Sequence, residues 1–366
     1  MGDQSIQRRL AAILAADVAD YSRLMNEDEA ASIEAWHAAR ALIDPTIAAF
    51  GGRIVKHTGD GFLAEFGTAT EAVECAIKSA RKYHWANGNE ARIDIITFTG
   101  AFHGRSLGAI NAGGNPKYLE GFGPKLPGFV HLEWGDHDAL KTAAAQPTTA
   151  AIFVEPVQGE GGVRAMPDAC LIGLRELCDE QGILLIYDEV QCGMGRTGKL
   201  FAHEWVEGAA PDILCSAKGI GGGFPFGACL TTEAVGEHMQ PGSHESTYGG
   251  NPLGCAVGNA VVNIIGTDAF LEDVNRKAGL MRQKLEGLVA SHPDVFESVR
   301  GSGLMLGLKC KATNSDVVAA GYRHEVITVP AADNVIRLLP PLNITDEDIA
   351  EAVSRLDQAA SSLAAS

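Results

Sequence analysis

Two side chains in this 366-residue chain could together carry out chemistry on an amine. Asp188 closes the apolar run 183–187 in ILLIYDEVQ, so a buried strand would deliver its carboxylate to the strand end. Lys218 lies in SAKGIGGGFPFG, between Ser216 and a run of glycines. A buried acid and a buried lysine at such sites suit pyridoxal phosphate. The lysine forms a Schiff base, and the acid keeps the pyridine nitrogen protonated so that the ring accepts electrons. Taken singly, Asp188 reads equally as a solvent-facing strand end, and Lys218 as a surface lysine beside a flexible loop.

The elements around them alternate. Strands are expected over 93–98, 150–154, 183–187, 213–216 and 228–231, with helices over 70–85 and 167–181. That rhythm predicts an α/β fold with a mostly parallel sheet covered on both faces. A long helix over 251–265 follows the Gly249-Gly250 break. Residues 270–366 read as a smaller α+β unit: a helix to 292, strands over 303–309 and 335–339, and a final helix over 346–360. Nearer the N-terminus, residues 10–16 predict a strand, and 26–50 a helical stretch interrupted near Pro45. Segments 53–58 and 62–66 flank the turn Gly59-Asp60-Gly61 as a hairpin.

Composition narrows the function classes. Hydrophobic residues make up 46% of the chain, and the net charge is -17. Such a charge argues against nucleic acid or an anionic membrane as partner, because both are polyanions. Small anionic substrates stay open, since local arginines can capture them. The eight cysteines show no paired spacing and predict buried free thiols in a reducing cytoplasm. No apolar run reaches membrane-spanning length, and MGDQSIQRRL is too short and polar for a signal peptide.

From about Glu71 onward the blocks AFHGRS, VEPVQGEGG, YDEVQCGMGRTGK, SAKGIGGGFPFGA, STYGGNPL and RLLPPLNIT occur in order. In these the chain resembles class III aminotransferases of pyridoxal phosphate fold type I, and within them the branch acting on N-acetylornithine. The resemblance implies the internal Schiff base at Lys218 and the pyridine partner at Asp188. It places Phe102 and Val190 on the two ring faces, with Gln191 at the phenolic oxygen and His103 and Glu155 nearby. Thr68, Ala69, Thr70 and Glu71 stand where the family has Ser-Gly-Thr/Ala-Glu at the phosphate-binding helix start. This departs from the pattern, yet Thr-x-x-Glu is itself a capping box. Thr247 matches a threonine that reaches the phosphate from a neighbouring subunit, implying a homodimer. Arg105 and Arg337 are candidate clamps for substrate carboxylates, with Ser246 in the same set, because guanidinium binds carboxylate bidentately. Glu160 matches the carboxylate that occupies Arg337 when no dicarboxylate is bound. Outside the resemblance, Phe102 reads as ordinary core and each arginine as half of a surface ion pair.

Before Gly67 a different likeness takes over. LAAILAADVADYSRLM and IDPTIAAFGGRIVKHTGDGFLAEF resemble the first part of a class III adenylate/guanylate cyclase domain. There Asp17 and Asp60 would hold divalent metals and Lys56 would read the purine. The likeness stops after a βαββα fragment, short of the family's later catalytic residues. The expected organisation is therefore a truncated cyclase-like segment over 1–66, a large cofactor-binding domain over 67–265 lacking its usual N-terminal segment, and a small domain over 266–366. Strand 62–66 would stand in for the strand leading into the phosphate-binding helix.

The function these resemblances imply is transfer of an amino group from N-acetylornithine to 2-oxoglutarate, in arginine biosynthesis, by a cytoplasmic homodimer. Metal is expected only if the cyclase-like segment works. The alternatives are another class III donor (ornithine, succinylornithine or 4-aminobutyrate), an inactive truncated fusion, or nucleotide cyclisation by the N-terminal segment.

Overall fold

A computed structural model describes residues 69–364, Glu245 excepted, and the backbone of four short strands nearer the N-terminus. Those four are β1 (Ala11–Ala12), β2 (Leu14–Ala16), β3 (Phe62–Ala64) and β4 (Phe66–Gly67). Next come β5 (Asp94–Phe98), β6 (Phe129–Leu132), β7 (Thr149–Val154), β8 (Val157–Gln158), β9 (Arg164–Ala165), β10 (Leu184–Asp188), β11 (Ile213–Ala217) and β12 (Gly227–Thr231). The last four are β13 (Phe296–Ser302), β14 (Met305–Cys310), β15 (Val329–Ala331) and β16 (Val335–Leu338).

The main sheet runs β6-β5-β7-β10-β11-β12, with β1 and β4 both paired to the outer side of β12. β6, β5, β7, β10 and β11 are mutually parallel, while β12 is antiparallel to β11. A mostly parallel sheet was expected, and the sheet is mixed at this edge. The reason is the connection: the chain returns from Ala217 to Gly227 through a tight loop, and a parallel partner needs a crossover.

Alternation along the strands divides two apolar layers. Ile95, Ala151, Phe153, Leu184, Ile186, Ile213 and Cys215 face the helix Ala69–Ala86. Ile96, Phe98, Ile152, Val154, Leu185 and Tyr187 face the helices His137–Ala144 and Asp168–Gln181. Burial on both faces is why these strands read as continuous apolar runs. Arg175 fastens the second layer: its Nη1 donates to Asp212 Oδ2 at 2.7 Å, and the same oxygen accepts from Leu185 N at 2.8 Å.

The second sheet, β13-β14-β16-β15, is antiparallel throughout. Its core is shared with the helices Asp268–Ser291 and Asp346–Ala364 and includes Met281, Leu285, Leu306, Leu308, Ile336 and Ile349. This unit is richer than expected from sequence. β13, the helix Asn314–Arg323 and β15 were not anticipated. β13 buries only its first residue and β15 is a three-residue edge strand containing Pro330, so neither shows period-two alternation. The short helices Leu107–Gly113 and His137–Ala144 were missed as well; their side-chain caps, Ser106 and Asp136, are the local signal for them.

Near the N-terminus, β3 pairs antiparallel with β2. The expected hairpin partner at 53–58 lies outside the described residues. β4 joins the main sheet next to β12 and leads directly into the helix Ala69–Ala86.

Candidate active site

The parallel strands β7, β10 and β11 end side by side, and their carboxyl ends carry the residues singled out from sequence. This is the end of a parallel α/β sheet at which ligands bind. Asp188 is the last residue of β10, buried, and in register with Cys215 on β11. Two donors orient its carboxylate. His103 Nδ1 lies 2.8 Å from Oδ2, and Val190 N donates to Oδ1 at 3.0 Å. His103 is itself held by stacking on Phe153, with ring centroids 4.0 Å apart and an interplanar angle of 16°. The His103 imidazole is buried and its Nε2 has no partner.

Glu155 directly follows β7 and is buried beside Asp188, accepting a hydrogen bond from Phe102 N at 3.2 Å. Burial, and then the Asp188 charge, push its carboxyl well above the usual range; the Phe102 N–H and the Lys218 charge oppose this. Glu155 therefore holds its proton more tightly than a solvent-exposed carboxyl would.

Lys218 follows β11 immediately and opens a short 3-10 turn, Lys218–Gly221. Its φ of 50° is left-handed, a costly conformation for a residue with a side chain. Lys218 was expected to be buried, but it is exposed. The left-handed turn carries the chain out of the sheet at the open strand end, so the side chain leaves the core. The turn is supported from beneath. A Cβ on Gly219 would stand 2.8 Å from Met194, and Met194 packs with Ile220 and Phe226 in one apolar cluster. Small residues after the lysine thus serve close packing.

The remaining residues sit around this centre. Arg337, on β16, is buried, and its Nη1 lies 2.7 Å from Glu160 Oε1 and 3.4 Å from Gln191 Oε1. Glu160 is in the turn between β8 and β9, anchored where Ala332 N donates to its carbonyl at 2.9 Å. Gln191 lies over Gly159, with no room for a Cβ between them. Val190 packs at the edge of the layer under the Ala69–Ala86 helix. Phe102 meets Tyr118 edge to face at 5.9 Å, and the exposed Arg105 guanidinium covers both rings, 4.2 Å from that of Tyr118 and 5.5 Å from that of Phe102. Ser246 and the exposed Thr247 belong to the loop before the helix Pro252–Ile265. Ala69 and Thr70 open the helix that follows β4, while Thr68, Asp17, Lys56 and Asp60 lie outside the described residues. Among the described residues no cluster of His, Cys, Asp and Glu is arranged to hold a metal.

Three residues that support this site from outside it were not anticipated. Phe153 reads as plain strand core, and only its place two residues before Glu155 hints at a role. Glu189 follows Asp188 and is wholly buried; its carboxylate accepts from Ala202 N, His203 N and His203 Nδ1. Arg196, in the loop after β10, bridges to the small sheet.

The donor set fits pyridoxal phosphate. Asp188 has lone pairs to spare beyond its two donors. No hydrogen bond or ion pair engages Lys218 Nζ among the described residues. His103 Nε2, without a partner among the described residues, adds a buried polar atom on the ring that holds Asp188. An oriented acid and an available lysine at adjacent strand ends define the class: a pyridoxal phosphate enzyme that holds its cofactor through a lysine. The chain belongs to the class III aminotransferase family, whose description, "Aminotransferase class-III", matches residues 20–360. It is 56% identical over 328 residues to an acetylornithine aminotransferase of Rhodobacter capsulatus, covering 90% of this chain and 83% of that protein. Among solved structures, an ornithine aminotransferase from Toxoplasma gondii superposes with a TM-score of 0.77 at 31% identity, over 82% of this chain and 73% of that one. An N-acetylornithine aminotransferase from Stenotrophomonas maltophilia does so with a TM-score of 0.70 at 35% identity, over 82% and 74%. The family match starts at residue 20, upstream of Gly67 and inside the text that resembles a cyclase, so the cyclase-like reading draws no support from it.

Proposed function

We propose that this enzyme transfers the terminal amino group of N-acetylornithine to 2-oxoglutarate. The observation that carries the reading is the Arg337–Glu160 pair at 2.7 Å, beside Gln191 and near the strand ends that bear Asp188 and Lys218. A guanidinium beside a carboxylate that can leave it suits an enzyme that must accept both a dicarboxylate and an amine donor with no carboxylate at that position. The names printed for the relatives from Rhodobacter and Stenotrophomonas support the donor.

Pyridoxal phosphate, when bound, supplies the electron sink at the amine carbon. Asp188 would hold the proton on the ring nitrogen, with His103 and the Val190 N–H fixing its carboxylate. Phe102 and Val190 would flank the ring, Gln191 would donate to its phenolic oxygen, and Ala69, Thr70 and Thr68 would start the helix under its phosphate. Lys218 Nζ would take the proton from the amine-bearing carbon of the substrate and hold it for return on the far side of the shared nitrogen. Arg105 and Arg337 hold the carboxylates, and Glu160 covers Arg337 when the donor is bound.

We read the active unit as a cytoplasmic homodimer. Support for the dimer comes from the helix Pro252–Ile265, whose apolar side chains Leu253 and Ile264 are 63% and 60% exposed, directly after the Ser246–Thr247 loop. Free thiols at all eight cysteines support a reducing compartment. Nucleotide cyclisation would rest on Asp17, Lys56 and Asp60, and nothing among the described residues favours it.

Purified protein should show a visible absorbance band from lysine-held cofactor, absent in Lys218→Ala. N-acetylornithine should bleach that band faster than ornithine, succinylornithine or 4-aminobutyrate. Bleaching by 4-aminobutyrate alone would overturn the proposed donor.

A further inference from the structure

The segment between Gln191 and Leu200 leaves the end of β10 and lies against the small sheet at three places. Gln191 Oε1 meets Arg337 Nη1 at 3.4 Å. Cys192 shares an apolar cluster with Met305 of β14 and Val335 of β16. Arg196 then makes the tightest connection. Its Nη1 donates to Pro340 O at 2.5 Å and to Leu304 O at 3.3 Å, and its own carbonyl accepts from Leu304 N at 2.9 Å.

Those two carbonyls flank the strands that matter. Leu304 immediately precedes β14, and Pro340 lies just beyond β16. β14 and β16 are paired with Gly307 opposite Arg337. One guanidinium therefore grips the near ends of both strands, three residues from the arginine that faces Glu160 and Gln191. Among the described residues no carboxylate bonds Arg196, and burial lowers its pKa to about 10. A partly buried cation bonded, among the described residues, only to carbonyls is a costly way to add stability. It suits a part whose value is placement, because the one nitrogen Nη1 ties two separate segments at a single point.

We propose that Arg196 is a positioning residue for Arg337: by tying Pro340 and Leu304 to the loop that carries Gln191, it sets the Arg337 guanidinium at the distance a dicarboxylate needs. The inference rests on the aminotransferase reading and deepens it, since it concerns the acceptor half-reaction and leaves the donor half-reaction alone. Asn275 offers an internal comparison. Its Nδ2 donates to Gly198 O at 2.9 Å and ties the same loop to the helix Asp268–Ser291, with no bond to β16.

The test uses holoenzyme and glutarate, an unreactive dicarboxylate, with affinity read by calorimetry. Arg196→Met should weaken glutarate about tenfold or more, and Arg196→Lys, which keeps a cation on a shorter side chain, by an intermediate amount. The rate at which N-acetylornithine bleaches the cofactor band should stay within about twofold of wild type in both, and Asn275→Ala should alter neither quantity. If Arg196→Met does not accumulate, Arg196→Lys decides alone, with weakened glutarate and an unchanged donor rate as the supporting result. Unchanged glutarate affinity, equal losses in both readouts, or an equal loss in Asn275→Ala would each overturn the proposal. Wild-type protein that reacts with the donor yet binds no glutarate would remove the dicarboxylate role of Arg337, and the proposal with it. Wild type that reacts with no donor would instead sink the proposed function.

Discussion

Asp188 and Glu155 stand at the ends of neighbouring strands, both buried, in different hydrogen-bonding surroundings. Asp188 has two oriented donors, His103 Nδ1 and Val190 N. Glu155 accepts from Phe102 N, and its burial, then the Asp188 charge beside it, raise its carboxyl well above the usual range. This sets a pH dependence. A carboxyl whose folded pKa is raised binds its proton more tightly folded than unfolded. Its stabilising contribution is complete below the unfolded pKa of about 4.3 and is lost as pH rises through the folded value. Glu155→Gln cannot ionise and escapes that loss. The melting temperature of Glu155→Gln relative to wild type should therefore rise from pH 5 toward pH 8, as thermal melts across that range would show. A constant difference would mean that Glu155 is ionised in the folded protein. At this scale the sequence was partly legible. The types and neighbours of Asp188, Lys218 and Glu155 pointed to their chemistry. Phe153 and Glu189 did not announce themselves, because an apolar strand residue and a second acid in DEV look the same whether or not they buttress a site.

At the scale of elements, the site depends on where strands stop. β7, β10 and β11 end together because each is followed by a residue that cannot continue the ladder: Glu155 before Pro156, the turn after Asp188, and the left-handed Lys218. The turn between β13 and β14 is under a sharper constraint. Gly303 has φ of 56°, and a Cβ there would stand 2.5 Å from Arg196 O and from the Thr197 backbone. Gly303→Ala should cost about 2–4 kcal/mol, combining left-handed strain with a backbone clash. Gly279, in the helix Asp268–Ser291, has nothing within 4 Å of an added Cβ, so Gly279→Ala should be neutral or stabilising by about 0.5–1 kcal/mol. Denaturant midpoints of the two variants separate these cases, and equal effects would contradict the geometry. The strands buried on both faces were readable from their continuous apolar runs. β13 and β15 were not, since an edge strand with one buried residue carries no periodic signal.

The whole molecule joins two sheets through the loop after β10 and the β8–β9 turn, which brings Glu160 and Arg337 from distant parts of the chain into contact. The helix Pro252–Ile265 presents Leu253 and Ile264 outward, as the proposed interface requires. In the proposed homodimer, Leu253→Asp with Ile264→Asp should convert a two-chain mass to a one-chain mass by light scattering. A monomeric wild type would remove the dimer from the reading.

What local sequence could settle was the chemistry: a lysine in a loop of small residues, an acid at the end of an apolar run, and the ordered blocks that mark a class III aminotransferase. These are properties of residue type and near-neighbour spacing, so they survive without coordinates. The exposure of Lys218, the stack of His103 on Phe153, the pairing of Arg337 with Glu160 and the grip of Arg196 on Pro340 needed the folded chain. Each joins residues far apart in sequence, and such contacts are made by strand order and domain packing, which leave no local periodicity to read.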